Sequence, residues 1–157
     1  MLQAQIFIEK PVEEVWRFIE MEFAKVFKCS PSKLLNQEIK STARNFNGQE
    51  ISIEQKVTVF EPNVKITIES INSKDRVFTS YELIADADGT FLSTTEDGQG
   101  VSSKARSLNY KLMSLPIISR GSRKRLLKRL ETMKYIIEGG PLDTEEVETV
   151  EEVDNQE

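Results

Sequence analysis

Two periods run along this chain. From Leu2 to Ile8 apolar and polar residues alternate, which predicts a strand with Ile6 and Ile8 on one face and Phe7 on the other. From Val12 the period lengthens. Val12, Val15, Trp16, Ile19, Phe23, Val26 and Phe27 fall three or four residues apart, the spacing of an amphipathic helix of about four turns. Pro11 suits the first position of that helix, where a missing N–H loses no bond, and Glu13 and Glu14 lie where the helix dipole favours anions. Ser30-Pro31-Ser32 interrupts the pattern, and Leu34 and Leu35 mark a short segment beyond it.

The period then returns to two. A weak strand at Glu38–Asn45 is joined through Asn47-Gly48 to a longer one in which Ile51, Ile53, Val57 and Val59 alternate with Ser52, Glu54, Lys56 and Thr58. Glu61-Pro62-Asn63 reads as a turn into Val64, Ile66 and Ile68. A polar turn from Asn72 to Asp75 leads to a strand with Val77, Thr79, Tyr81 and Leu83 on one face, and Asp88-Gly89 marks a hairpin into Phe91–Glu96. Turns this short join antiparallel neighbours, so a meander with one wet face is expected. After Gly100 the helical period resumes. Leu108, Leu112 and Leu115 share a face that Leu126, Leu130, Met133 and Ile137 continue, with Pro116 and Gly121 placed to kink or split the helix. The predicted order is strand, helix, antiparallel strands and a long, kinked C-terminal helix. This is an α+β fold of helix-grip type, a curved antiparallel sheet wrapped around that helix.

Charge divides the chain. Eight of its 26 acids fall in residues 139–157, where there is no Lys or Arg, so the preceding 138 residues are net positive by three although the whole chain is at −5. A like-charged segment without aromatics buries too little apolar surface to offset the entropy of ordering. Gly139, Gly140 and Pro141 stand ahead of it as breakers. The expected organisation is one folded domain over 1–138 and a disordered acidic tail over 139–157, in which Val147, Val150 and Val153 recur every three residues. No apolar run approaches the length needed to span a bilayer, and residues 1–10 lack the pattern of a signal peptide. The single cysteine, Cys29, permits no internal disulfide and reads as a half-buried small residue. A cytoplasmic protein is expected.

The absence of histidine removes the commonest general base and zinc ligand, and with them every Ser-His or Cys-His nucleophile pair. Asp86, Asp88 and Gly89 lack the remaining spacing of a calcium loop. Glu96 and Asp97, being adjacent on a strand, point to opposite faces. No catalytic residue, metal ligand or cofactor is assigned.

The opening Ile6-Phe7-Ile8 into Pro11-Val12-Glu13-Glu14-Val15-Trp16, the hairpin Phe60-Glu61-Pro62-Asn63-Val64-Lys65-Ile66 and the run Leu108-Asn109-Tyr110-Lys111-Leu112-Met113 ahead of a Lys/Arg-rich helix resemble the START-like (Bet v 1-like, polyketide-cyclase-like) superfamily. Within it they are similar to a bacterial family of short proteins of unassigned function. The resemblance covers about residues 1–138 and implies the helix-grip fold. It carries over no catalytic residue, because that scaffold hosts lipid carriers, cyclases, chaperone cofactors and toxins alike.

A sheet gripping a helix can enclose a ligand among apolar walls with a few polar anchors. The residues expected to line such a site are Trp16, Ile53, Gln55, Val57, Ile66, Ile68, Tyr81, Leu83, Leu108 and Leu112. Gln55 and Tyr81 are its polar members and need partners if buried, from each other, the backbone, water or a ligand. Trp16 suits the core as well as a stacking platform. A second surface is the basic face of the final helix, with seven cations from Arg120 to Lys134 against the one acid Glu131. Arg120, Lys124, Arg125, Lys128 and Arg129 are its candidate contacts for a protein partner or an anionic surface, or else simply a solvated face. Without interleaved aromatics it is not expected to read a nucleic-acid sequence. The leading reading is a non-enzymatic domain that binds a small apolar or amphipathic molecule between sheet and helix. An interaction module using the basic helix and acidic tail, and an enzyme of cyclase or dehydratase type, remain as alternatives.

Overall fold

The computed structural model describes residues 1–44, 48–73, 75–100 and 120–140. Its elements are β1 (Leu2–Ile8), α1 (Val12–Phe27), a 3-10 turn (Pro31–Lys33), β2 (Glu38–Arg44), β3 (Glu50–Glu61), β4 (Lys65–Ile71), β5 (Asp75–Asp86), β6 (Gly89–Gly100) and α2 (Arg120–Ile137). The strands form one antiparallel sheet in the order β1-β6-β5-β4-β3-β2. Each neighbour from β2 to β6 is also the next in sequence, as the short turns predict, while β1 joins the far edge against β6.

The register sorts the side chains. One row across the sheet runs Ala4, Thr94, Tyr81, Ile66 and Phe60, and the next runs Leu2, Glu96, Thr79, Ile68 and Val57. This is the core face. Ile66 and Val57 have no accessible surface, and Ile8, Ile68, Tyr81, Leu83 and Leu92 are buried with them. The opposite face carries the charged pairs of the sheet, with Phe7, Phe91 and Ile84 as an apolar row near its β1 edge. Glu38–Lys56, Lys40–Glu54 and Lys65–Glu82 are register partners whose charges meet at 3.5, 3.3 and 2.9 Å. Thr67 and Ser80 share a buried hydrogen bond of 2.8 Å there.

The period of two fails at one point. Val57 pairs with Ile68 and Val59 with Thr67, so Thr58 is an extra residue, a β-bulge. The bulge reverses the faces beyond it. Val59, expected beside Val57, shares its row with Thr67 on the polar side, and Phe60 turns inward opposite Ile66. Its ring meets that of Trp16 at a centroid distance of 5.4 Å. The bulge bends the strand as well as flipping it, which contributes to the curve of the sheet.

Helix α1 lays Val15, Trp16, Ile19, Ala24 and Phe27 on the core, whereas Val26 is exposed. Pro11 stands one position earlier than expected, at the N-cap with extended backbone. Its carbonyl accepts from the Glu14 and Val15 amides at 3.0 and 3.2 Å, so proline contributes the acceptor and withholds no helical donor. At the Asp88-Gly89 hairpin the two turn residues are Ala87 and Asp88, and Gly89 already pairs with Asp86. A Cβ on Gly89 would fall on the Ile8 carbonyl oxygen, so close approach of β1 is what requires glycine.

Helix α2 packs mainly on β1, with Leu126 and Leu130 fully buried and Met133 and Ile137 against the core cluster. Gly121 occupies its first turn. Pro116 and the stretch from Leu108 to Leu115 lie outside the described residues, as do residues 141–157.

Candidate functional site

The polar side chains of the core face converge beneath α2. Residues two apart on a strand share a face about 7 Å apart, so Leu92, Thr94 and Glu96 follow one another inward along β6. Arg125 and Arg129, one helical turn apart on α2, both reach down to Glu96. Arg125 Nη2 donates to Glu96 Oε2 at 3.2 Å, and Arg129 Nη1 donates to Oε1 at 3.3 Å. The Glu96 side chain is largely covered, at 16% exposure, while each arginine side chain keeps 42%. The cluster therefore spans the boundary between core and solvent. Burial works to lower the pKa of Arg129, but the Tyr81 phenol and the Glu96 carboxylate outweigh it and hold the guanidinium above its ordinary value.

Tyr81 is buried and packs against Phe23 of α1 at 5.7 Å between ring centres. Its register partner Thr94 is completely buried, and the Thr94 hydroxyl has no hydrogen-bond partner among the described residues. Such a group costs about 1–3 kcal/mol when left unpaired, which sets Thr94 apart from the equally buried Thr90 of the same strand, whose hydroxyl donates to the Lys10 carbonyl at 2.8 Å.

The residues expected to line a ligand site separate into three sets. Trp16, Val57, Ile66, Ile68, Tyr81 and Leu83 come together in the buried core. Ile53 and Gln55 lie toward the far end of β3, partly exposed. Leu108 and Leu112 lie outside the described residues. Gln55 and Tyr81 do not bond each other. They stand in different rows of the sheet, and the Gln55 amide donates to its register partner Ser70 at 3.2 Å. Trp16 satisfies its indole N–H on Glu20, one turn along its own helix, at 3.1 Å.

The basic face of α2 is also divided. Lys124 and Lys128 are exposed, beside Leu127 at 37% and Tyr135 at 48% exposure. Arg125 and Arg129 turn instead toward the sheet, because their long stems can lie along apolar surface while the heads seek Glu96. Lys134 leaves the row as well. Its ammonium donates to the Phe7 carbonyl at 2.7 Å and pairs with Glu138 at 3.0 Å. Arg120 begins the helix.

Thr94 and Glu96 are site residues that sequence reasoning missed. The available signal was parity: both lie an even number of positions from Leu92, so a strand with Leu92 inward must carry them inward too. Among the described residues two surface grooves flank α1. One of about 440 Å³ lies between α1 and the end of α2 and is floored by Phe18, Met21 and Ile137. The other, of about 560 Å³, includes the half-buried Cys29.

No protein-family model matches the sequence, and no curated protein matches it. Solved structures do. A protein from Thermus thermophilus is 15% identical, with 87% of this chain and 95% of that one covered at a TM-score of 0.56. The Zhui aromatase/cyclase from Streptomyces sp. R1128 is 12% identical, with 89% and 98% covered at 0.53. A protein from Arthrobacter aurescens is 8% identical, with 90% and 87% covered at 0.56. At such identities the likeness speaks for the fold alone. Together with the antiparallel sheet and the helix laid on its core face, it makes the fold of this chain START-like, of the polyketide-cyclase-like helix-grip type.

Proposed function

We propose that this domain binds a small amphipathic molecule between the core face of the sheet and α2, and that it does so without transforming it. The observation that carries the reading is the Thr94 hydroxyl, buried without a partner among the described residues, beside Tyr81 and two residues from Glu96 on the core face of the sheet. A bound molecule with a polar group at that depth would supply the missing bond, and the surrounding Ile66, Leu83 and Leu92 would cover its apolar part. Binding rather than catalysis is favoured because the carboxylate of this cluster, Glu96, has each oxygen engaged by a guanidinium.

The test uses the neutral dye Nile red with full-length protein. Saturable binding with a rise in fluorescence is expected, with displacement by neutral amphiphiles. Thr94→Val is the informative variant because it keeps the shape and removes the hydroxyl. The free protein should be at least as stable as the parent, since an unpaired polar group is gone, while displacement by an amphiphile with a polar group at its inner end should weaken. Absence of saturable dye binding would overturn the reading.

A second reading rests on the outer side of α2, where Lys124 and Lys128 flank the exposed Leu127. Cations beside an apolar side chain suit an anionic surface. Sedimentation with anionic vesicles, compared with a Lys124→Glu, Lys128→Glu double variant, tests it.

A further inference from the structure

We propose that the molecule held beneath α2 carries a carboxylate, received by the Arg125–Arg129 pair at the rim of the site. The inference rests on the ligand reading above and adds the chemical class of the ligand's polar end. Three features support it.

The first is charge. Among the described residues Glu96 offers one negative charge to two guanidinia. The cluster therefore keeps a net positive charge in partly desolvated surroundings, where an incoming anion gains more than it would in water. The second is geometry. Arg125 and Arg129 each meet Glu96 through one nitrogen, and a guanidinium has five donors in a planar fork matched to a carboxylate. Each fork thus retains donors for a second acceptor without releasing Glu96. The third is direction. The arginine side chains are part-exposed, while the Thr94 hydroxyl is fully buried opposite Tyr81, on the same face as Leu83 and Leu92 of the core. A carboxylate at the rim leaves the apolar body of the ligand pointing inward, with any second polar group able to reach Thr94.

A cluster that only ties helix to sheet would show no preference among head groups. Three probes of equal chain length separate the cases: dodecanoate, dodecanol and dodecylammonium, each titrated into the full-length protein by calorimetry, the two ionic probes below their micelle concentrations and the alcohol below its solubility limit. Dodecanoate is expected to bind about tenfold or more tighter than dodecanol, the size of a charge-assisted bond, with dodecylammonium weakest. Arg129→Gln should bring the ratio of dodecanoate to dodecanol affinity close to one. Glu96→Gln should act in the opposite direction, raising that ratio several-fold because a competing anion is gone. The two variants displace the result in opposite senses, so a general loss of folding cannot imitate the pattern, and near-UV circular dichroism checks each. Equal affinity for acid and alcohol in the parent protein would overturn the carboxylate inference and leave the ligand site standing. Failure of all three probes and of Nile red would overturn both.

Discussion

Thr94 and Ile66 are neighbours across one row of the sheet, separated by Tyr81, yet their substitutions should behave in opposite ways. Ile66 is sealed between Phe60 and Tyr81 with no accessible surface, so Ile66→Ala should cost about 2–5 kcal/mol in chemical denaturation, through lost burial and the cavity left behind. A larger residue there would strain the same packing by about 1–3 kcal/mol, so Ile66 is unsuited to a conservative blocking mutation. Thr94→Val removes an unsatisfied hydroxyl and should leave the midpoint unchanged or higher. A clear loss of stability in Thr94→Val would show that its hydroxyl is paired in the free protein and would remove it from the site. Tyr81 differs from both, because its ring packs on Phe23 while its hydroxyl belongs to the arginine cluster.

Helices α1 and α2 end alike, and the difference between them is testable. At the end of α1 the Cys29 amide donates back to Ala24 and the Lys28 amide to Lys25, with Lys28 in the left-handed region at φ 54°. At the end of α2 the Gly140 amide donates to Tyr135 and the Gly139 amide to Ile136, with Gly139 at φ 95°. Both are Schellman closures, and only α2 has the residue that adopts this conformation without a Cβ clash. Lys28→Gly should therefore stabilise the domain by about 1 kcal/mol, and Gly139→Ala should destabilise it by a similar amount, both read from thermal or urea unfolding. The end of α2 is also fastened to the β1–α1 connection. The Glu138 carboxylate accepts from the Glu9 amide at 2.8 Å while Lys134 holds the Phe7 carbonyl. The Glu9 amide, followed by the Lys134 hydrogen bond, holds the Glu138 pKa below its ordinary value of 4.5. A depressed carboxylate contributes its stability above the unfolded pKa and loses it as pH falls from about 4.5 through the folded value. In Glu138→Gln that part of the acid dependence should vanish, which unfolding measured from about pH 6 down to about pH 3 would show. The Glu138 side chain lies at the surface and is part-exposed, so solvent screening should keep the effect small.

On the scale of the whole molecule the charge is unevenly placed. The acids of residues 141–157 offset a body that is otherwise net positive. Truncation after Gly140 should raise binding to anionic vesicles, mostly below about 0.1 M salt where screening is weak. Sedimentation of the full-length and truncated proteins across salt checks this. Equal binding at low salt would show that the tail does not compete for the same surface.

What the sequence determined by itself was the order and kind of the elements. Periodicity is a local property, and the switch from alternation to helical spacing and back is written in adjacent residues such as Val12, Val15, Trp16 and Ile19, or Val64, Ile66 and Ile68. The Glu61-Pro62-Asn63 turn and the glycine stop of α2 were legible for the same reason, since Asn63 and Gly139 hold left-handed backbone at their own positions. The tertiary structure decided what depends on distant neighbours. The bulge at Thr58 moved Val59 to the polar face and Phe60 to the core, because register against β4 rather than parity within β3 fixes the side. Gly89 leaves space for β1, far away in the sequence, rather than serving a turn. The candidate site was least legible of all. Arg125 and Arg129 read as part of a solvated row until packing of Leu126 and Leu130 fixed the rotation of α2, which brought the arginine heads over Glu96. A charged side chain's partner is set by where two elements meet in space, and the local pattern of neither element contains that information.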